Sequence, residues 1–160
     1  MPAYNIDELK AGSGHPAELL FRLWGIWREA GPDVSLLPEE RIVHDAWTYD
    51  TANGNGIGDI LINERYDEFA SGLGALRHLG SPELDLYVAG IVATLNKFGI
   101  DAFNPESIDA AFLRGESPLS ALEAAEQPFL KQLWNGAILE AAQTYINQHI
   151  EAFRHRGQAD

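Results

Sequence analysis

The chain has 160 residues, 46% of them hydrophobic, which suits one globular domain with its own core and excludes a disordered chain. It has no cysteine, so disulfides, thiolate metal sites and thiol nucleophiles are excluded. With 24 acidic against 11 basic residues the formal net charge is −13, and the acids fall in every quarter of the chain. That balance argues against direct contact with DNA, RNA or anionic lipid, and favours a basic protein partner.

The N-terminus, MPAYNIDELKAGSG, lacks a basic segment followed by an apolar run, so no signal peptide is expected, and its first 13 residues read as loosely attached. No stretch approaches the roughly 18 consecutive apolar residues of a membrane span, and a cytoplasmic location is the default expectation. The first strong helix runs from Pro16 to Gly31-Pro32, with Leu19, Leu20, Leu23, Trp24 and Trp27 as its apolar stripe. A second opens at Pro38, has Glu39 and Glu40 in its first turn, and shows Ile42, Val43, Ala46 and Trp47 on one face. The third has Ser81 as cap, Pro82 at the first position and Gly99 as its stop, with Leu84, Tyr87, Val88, Ile91, Val92, Leu95 and Phe98 in helical period.

Asn104 to Gly115 repeats this scheme, and Ser117-Pro118 starts another helix. Pro128 is expected to open a last helix reaching about Phe153, roughly 40 Å long. Its stripe includes Leu130, Leu133, Trp134, Ile138, Tyr145, Ile146, His149 and Ile150. This stripe suits a core, and would also suit the seam of a homodimer. The only strand candidate, GDILINERY, is too short to carry a sheet. The expectation is an all-α single-domain bundle of about seven or eight helices with a long C-terminal helix.

The stretch TANGNGIGDILIN, Thr51 to Asn63, is the most suggestive for chemistry. A phosphate cradle needs a preceding strand and, for a P-loop, a lysine; here a helix precedes, no lysine is present, and Asp50 and Asp59 would repel phosphate. An EF-hand loop begun at Asp50 would place Ala52, Gly54 and Leu61 at positions 3, 5 and 12, where ligands are required. The segment therefore reads as a helix-to-helix corner, with Asn53, Gly54, Gly56 and Asn63 making the turns and Ile57, Ile60 and Leu61 burying it.

His44-Asp45 is the dipeptide of HD-type phosphohydrolases, which would need partners such as His15 upstream and Asp101 or Asp109 downstream. A helix-face role for His44 is the simpler account. No Gly-x-Ser-x-Gly elbow occurs, and the five histidines have no ligand spacing. His78 suits a helix C-terminus, and the tryptophans at 24, 27, 47 and 134 read as core. No metal, cofactor or catalytic residue is expected.

The segment Leu36 to Leu84 resembles a bacterial DNA-mimic-protein-like family of small helical proteins. Leu37-Pro38-Glu39-Glu40 matches that family's helix start, and Asn53, Gly54 and Gly56 its Asn-Gly-Gly with one residue inserted. Ile57, Asp59, Ile60-Leu61 and Asn63 stand where the family has Phe, Gln, Tyr-Phe and Asn, and Gly74 to Gly80 resembles the next helix end. The resemblance covers about a third of the chain. It implies a non-enzymatic protein whose surface carboxylates stand in for phosphates and occupy the DNA site of a partner such as a transcription factor. Asp45, Asp50, Asp59, Glu64, Asp67 and Glu68 are the candidate partner-binding residues, with Glu64, Asp67 and Glu68 the densest group. A solvated helix start is the simpler reading of that group. Two other readings are an immunity-type inhibitor of a basic toxin and a small metal-dependent hydrolase.

Overall fold

A computed structural model describes residues 2–154. All regular structure among them is helical: α1 Ile6–Ala11, α2 Pro16–Glu29, α3 Pro38–Ala52, α4 Ile57–Ile62, α5 Tyr66–Leu76, α6 Pro82–Lys97, α7 Pro105–Leu113, α8 Leu119–Glu126, α9 Leu130–Trp134, α10 Ala137–Gln148 and α11 Ile150–Arg154. No helix among the described residues is long and apolar enough to cross a membrane.

The punctuation visible in the sequence sets several helix starts. Ser81 Oγ accepts from Leu84 N, Asn104 Oδ1 from Glu106 N, and His15 Nδ1 from Ala17 N, each satisfying an amide that the helix cannot. Proline follows each cap, where its missing N–H costs nothing. α3 lies centrally, packed on α5 and flanked by α2, α4, α10 and α11; α6 pairs with α8 and α5 with α7. One connected apolar core runs through these helices, from Ile6 to Phe153.

Two expectations require correction. The long C-terminal helix is three helices, α9, α10 and α11. Gly136 adopts a left-handed conformation (φ +91°), which no helix can pass through, and the chain breaks again at His149 (φ −113°, ψ +25°). Pro128 opens no α-helix either; it sits in a 3-10 turn, Gln127–Phe129, that joins α8 to α9. The first 13 residues, expected to be loosely attached, carry α1. Tyr4 and Ile6 are buried, Tyr4 Oη donates to Glu40 Oε1 at 2.6 Å, and Asp7 pairs with Arg154 at 3.0 Å.

Candidate functional site

The glycine corner is held by a residue the sequence does not single out. Glu126, the last residue of α8, is 2% exposed and accepts three hydrogen bonds. Its Oε1 accepts from Ile57 N at 2.7 Å; its Oε2 accepts from Asn53 Nδ2 at 3.0 Å and from Tyr87 Oη at 2.9 Å. Gly56, which precedes α4, has no side chain with which to cap it, so a carboxyl from another helix takes the first amide instead. A Cβ on Gly56 would lie 3.0 Å from Glu126 Oε1, and φ there is +119°, so both space and backbone require glycine. Asn53 ends α3, and its carbonyl accepts from Gly56 N at 3.0 Å. Asn63 ends α4 by donating from Nδ2 to Asp59 O at 2.7 Å. Gly54 is exposed beside them and has no left-handed φ.

Behind Glu126 the network reaches Tyr49, whose Oη lies 2.5 Å from Tyr87 Oη. Burial pushes both phenols well above their ordinary range. Tyr87 also meets Phe129 edge-on, with centroids 5.6 Å apart.

The six acids proposed for partner binding have different surroundings. Asp45 binds its neighbour: His44 Nδ1 lies 2.8 Å from Asp45 Oδ1, and the His44 ring packs edge-on against Trp27. Asp59 Oδ2 accepts from the backbone N and Nδ2 of Asn55, steadying the corner. Glu68 is paired with Arg65. Glu64 and Asp67 are exposed; with Tyr66 they line a surface cleft of about 200 Å³, completed by Pro105, Glu106 and Asp109. Glu64 itself has φ +56°, a left-handed corner between α4 and α5. Tyr66's hydroxyl is pushed up by burial first and then by the Glu64 and Asp109 carboxylates. Glu106 and Asp109 sit about forty residues on in sequence, so only the packing of α5 on α7 brings them here.

Of the residues of the HD-type hypothesis, His44 and Asp45 share α3, whereas His15, Asp101 and Asp109 lie outside it. His15 caps α2, and Asp101 accepts from Phe103 N at 3.0 Å. Among the described residues no group of three or more His, Asp or Glu side chains is arranged to hold a metal ion. His78 is exposed just beyond α5. Trp27 is core, but Trp134 is 62% exposed, against the expectation for all four tryptophans. The stop at Gly136 lies two residues after it, so the stripe of α9 is not continued by α10.

Asp50 stands apart. It lies in the last turn of α3 on the wall of a second cavity, with Asn53, Gly54, Leu130, Leu133, Trp134 and Ile138. Burial raises its carboxyl to about 6. Because the folded value exceeds the ordinary 3.8, the native state binds the extra proton, and stability falls as pH rises from about 4 to about 6. Asp50→Asn is therefore expected to stabilise the fold by about 1–2 kcal/mol at pH 7 to 8, after allowance for partial exposure, and by almost nothing at pH 4. Urea unfolding at the two pH values checks this; equal gains at both would show that ionisation of Asp50 costs nothing.

Comparison of the chain with protein-family models, curated proteins and solved structures gives no match.

Proposed function

We propose that this is a non-enzymatic, acidic protein-binding domain that engages a basic surface on its partner through the cleft between α5 and α7. The observation that carries this reading is the convergence of Glu64, Asp67, Glu106 and Asp109 on one exposed cleft with no basic side chain in its lining. The nearest arginines in sequence are already paired, Arg65 with Glu68 and Arg114 with Glu116. Four carboxylates left without cations repel one another and attract a basic surface, and the overall charge of −13 steers one in. The resemblance to DNA-mimic proteins suggests the finer version, in which the partner's surface is one built for a polyanion.

The test is capture of partners on the immobilised protein, across a salt series and in the presence of duplex DNA. The variant Glu64→Gln/Asp67→Asn/Glu106→Gln/Asp109→Asn serves beside the wild type. A basic protein should be retained at low salt, be released as the Debye length shrinks below about 5 Å, and be held at least ~10-fold more weakly by the variant. Release by DNA supports mimicry; a captured toxin unaffected by DNA supports an immunity role. Retention indifferent both to salt and to the four substitutions would sink the proposal.

A further inference from the structure

The cavity at the C-terminal end of α3 is separate from the acidic cleft and has a different character. Asp50 is a half-buried carboxyl without a basic partner. Asn53, three residues on, is 7% exposed. Its amide nitrogen is committed to Glu126, which fixes the orientation of the group, and its Oδ1 is buried and accepts no hydrogen bond. The rest of the lining is Gly54, the aliphatic side chains of Leu130, Leu133 and Ile138, and the exposed Trp134. The Asp50 carboxyl is thus an acceptor without a basic donor on the cavity wall, and Asn53 Oδ1, sealed from solvent beside it, adds its negative dipole.

The missing element is a positively charged donor. The site lies at the negative end of α3, a helix with no basic residue in its last turn. No basic side chain lines the cavity, and Lys131 on α9 is exposed outside it. A divalent metal is a poor fit, since calcium or magnesium takes six or more oxygen ligands and the wall offers one carboxyl. The volume, about 200 Å³, is below the roughly 300–1,000 Å³ of pockets for drug-sized ligands. It suits one side chain or a small amine. An indole face attracts ammonium and guanidinium groups, and the aliphatic wall suits the stem that carries them.

We propose that the cavity lined by Asp50, Asn53 and Trp134 binds a single alkylammonium or guanidinium group. In this arrangement the cation donates to Asp50, its stem packs on Leu130, Leu133 and Ile138, and the Trp134 indole lies beside it. The group can be a free amine or the lysine or arginine side chain of a protein. A bound cation favours the ionised Asp50 carboxyl, opposing the effect of burial, so binding weakens as pH falls towards the range where Asp50 protonates.

The experiment is an NMR titration of the labelled protein with n-butylammonium, methylguanidinium and, as neutral isostere, n-butanol. The Trp134 indole N–H and the Asn53 side-chain amide are the reporters. Saturable millimolar shifts of both reporters with a cation, and at least ~10-fold weaker binding of n-butanol, are expected. Asp50→Asn should weaken the cations by ~10-fold or more while leaving n-butanol unchanged. Glu123→Gln, an exposed acid outside this cavity, should change neither. A second arm compares putrescine with a capped arginine-containing peptide and a capped lysine-containing peptide. Tighter peptide binding assigns the site to a protein side chain, and tighter putrescine binding to a free polyamine. Absence of saturable shifts at either reporter, or equal affinity of wild type and Asp50→Asn for the cations, would overturn the proposal. Loss of the α5–α7 carboxylates should leave this titration unchanged, so it succeeds or fails independently of the acidic cleft.

Discussion

Glu126→Ala is expected to destabilise the fold by about 3–5 kcal/mol. The substitution removes the acceptor for Ile57 N, Asn53 Nδ2 and Tyr87 Oη at a position 2% exposed. Each orphaned buried donor costs about 1–3 kcal/mol. Tyr87 recovers part of its share through Tyr49 Oη, and the adjoining cavity of about 290 Å³, which Glu126 helps to line, lets water reach some of the rest. Glu126→Gln keeps the shape but offers one acceptor oxygen to three donors, and should cost about 1–3 kcal/mol. Urea denaturation measures both changes, and hydrogen exchange at Ile57 N should lose its protection in each variant. An alanine variant within ~1 kcal/mol of wild type would mean that the corner is held by the burial of Ile57, Ile60 and Leu61 alone.

Gly72→Ala and Gly74→Ala should move stability in opposite directions although both lie in α5. A Cβ on Gly72 would sit 2.5 Å from Tyr49 Cβ, 2.6 Å from its Cδ2 and 2.8 Å from its Cγ. Tyr49 cannot yield, because its ring packs on Phe69 and Tyr87 and its hydroxyl is tied to Tyr87. The central pair of helices must therefore separate. Overpacking of this kind costs about 1–3 kcal/mol or more, against at most about 1 kcal/mol of improved helix propensity. A net loss of about 2 kcal/mol is expected. A Cβ on Gly74 would meet no heavy atom within 4 Å, and φ there is right-handed, so alanine should gain up to about 1 kcal/mol. Thermal unfolding of the two variants side by side tests the pair. If Gly72→Ala is as stable as wild type, α3 and α5 are not in contact at this point.

The helix starts are legible in the sequence because caps and prolines act locally: Ser81-Pro82 and Asn104-Pro105 need only their own next turn. The breaks in the last third are not. The apolar stripe keeps its period across Asn135-Gly136, so periodicity alone runs α9 into α10, and only the left-handed φ of Gly136 separates them. α1 has local signals that are easily passed over, the Asn5 cap with Asp7 and Glu8 in the first turn, and is fixed in place by burial of Tyr4 and Ile6. The acids are hardest to sort. Glu40 and Glu126 look like the other 22 in sequence, yet both are buried, one bonded to Tyr4 and Leu37 N and the other to partners 39 to 73 residues away. One signal does point towards Glu126. Gly56 has no side chain with which to cap α4, and burial of Ile57 keeps water from its amide, so an acceptor from another helix fits there. In the acidic cleft, Glu64 and Asp67 stand out from sequence alone, whereas Glu106 and Asp109 require the packing of α5 on α7.

The pairing of α1 with α11 turns the described chain into a closed ring. Arg154 bridges Asp7 and Glu151, while Ile6 and Phe153 are both fully buried. Each end thus serves as the clasp of the other, and peeling either one bares an apolar flank of its mate. The seam between them lies at the surface, where the Asp7–Arg154 pair is reached by solvent and salt can loosen it.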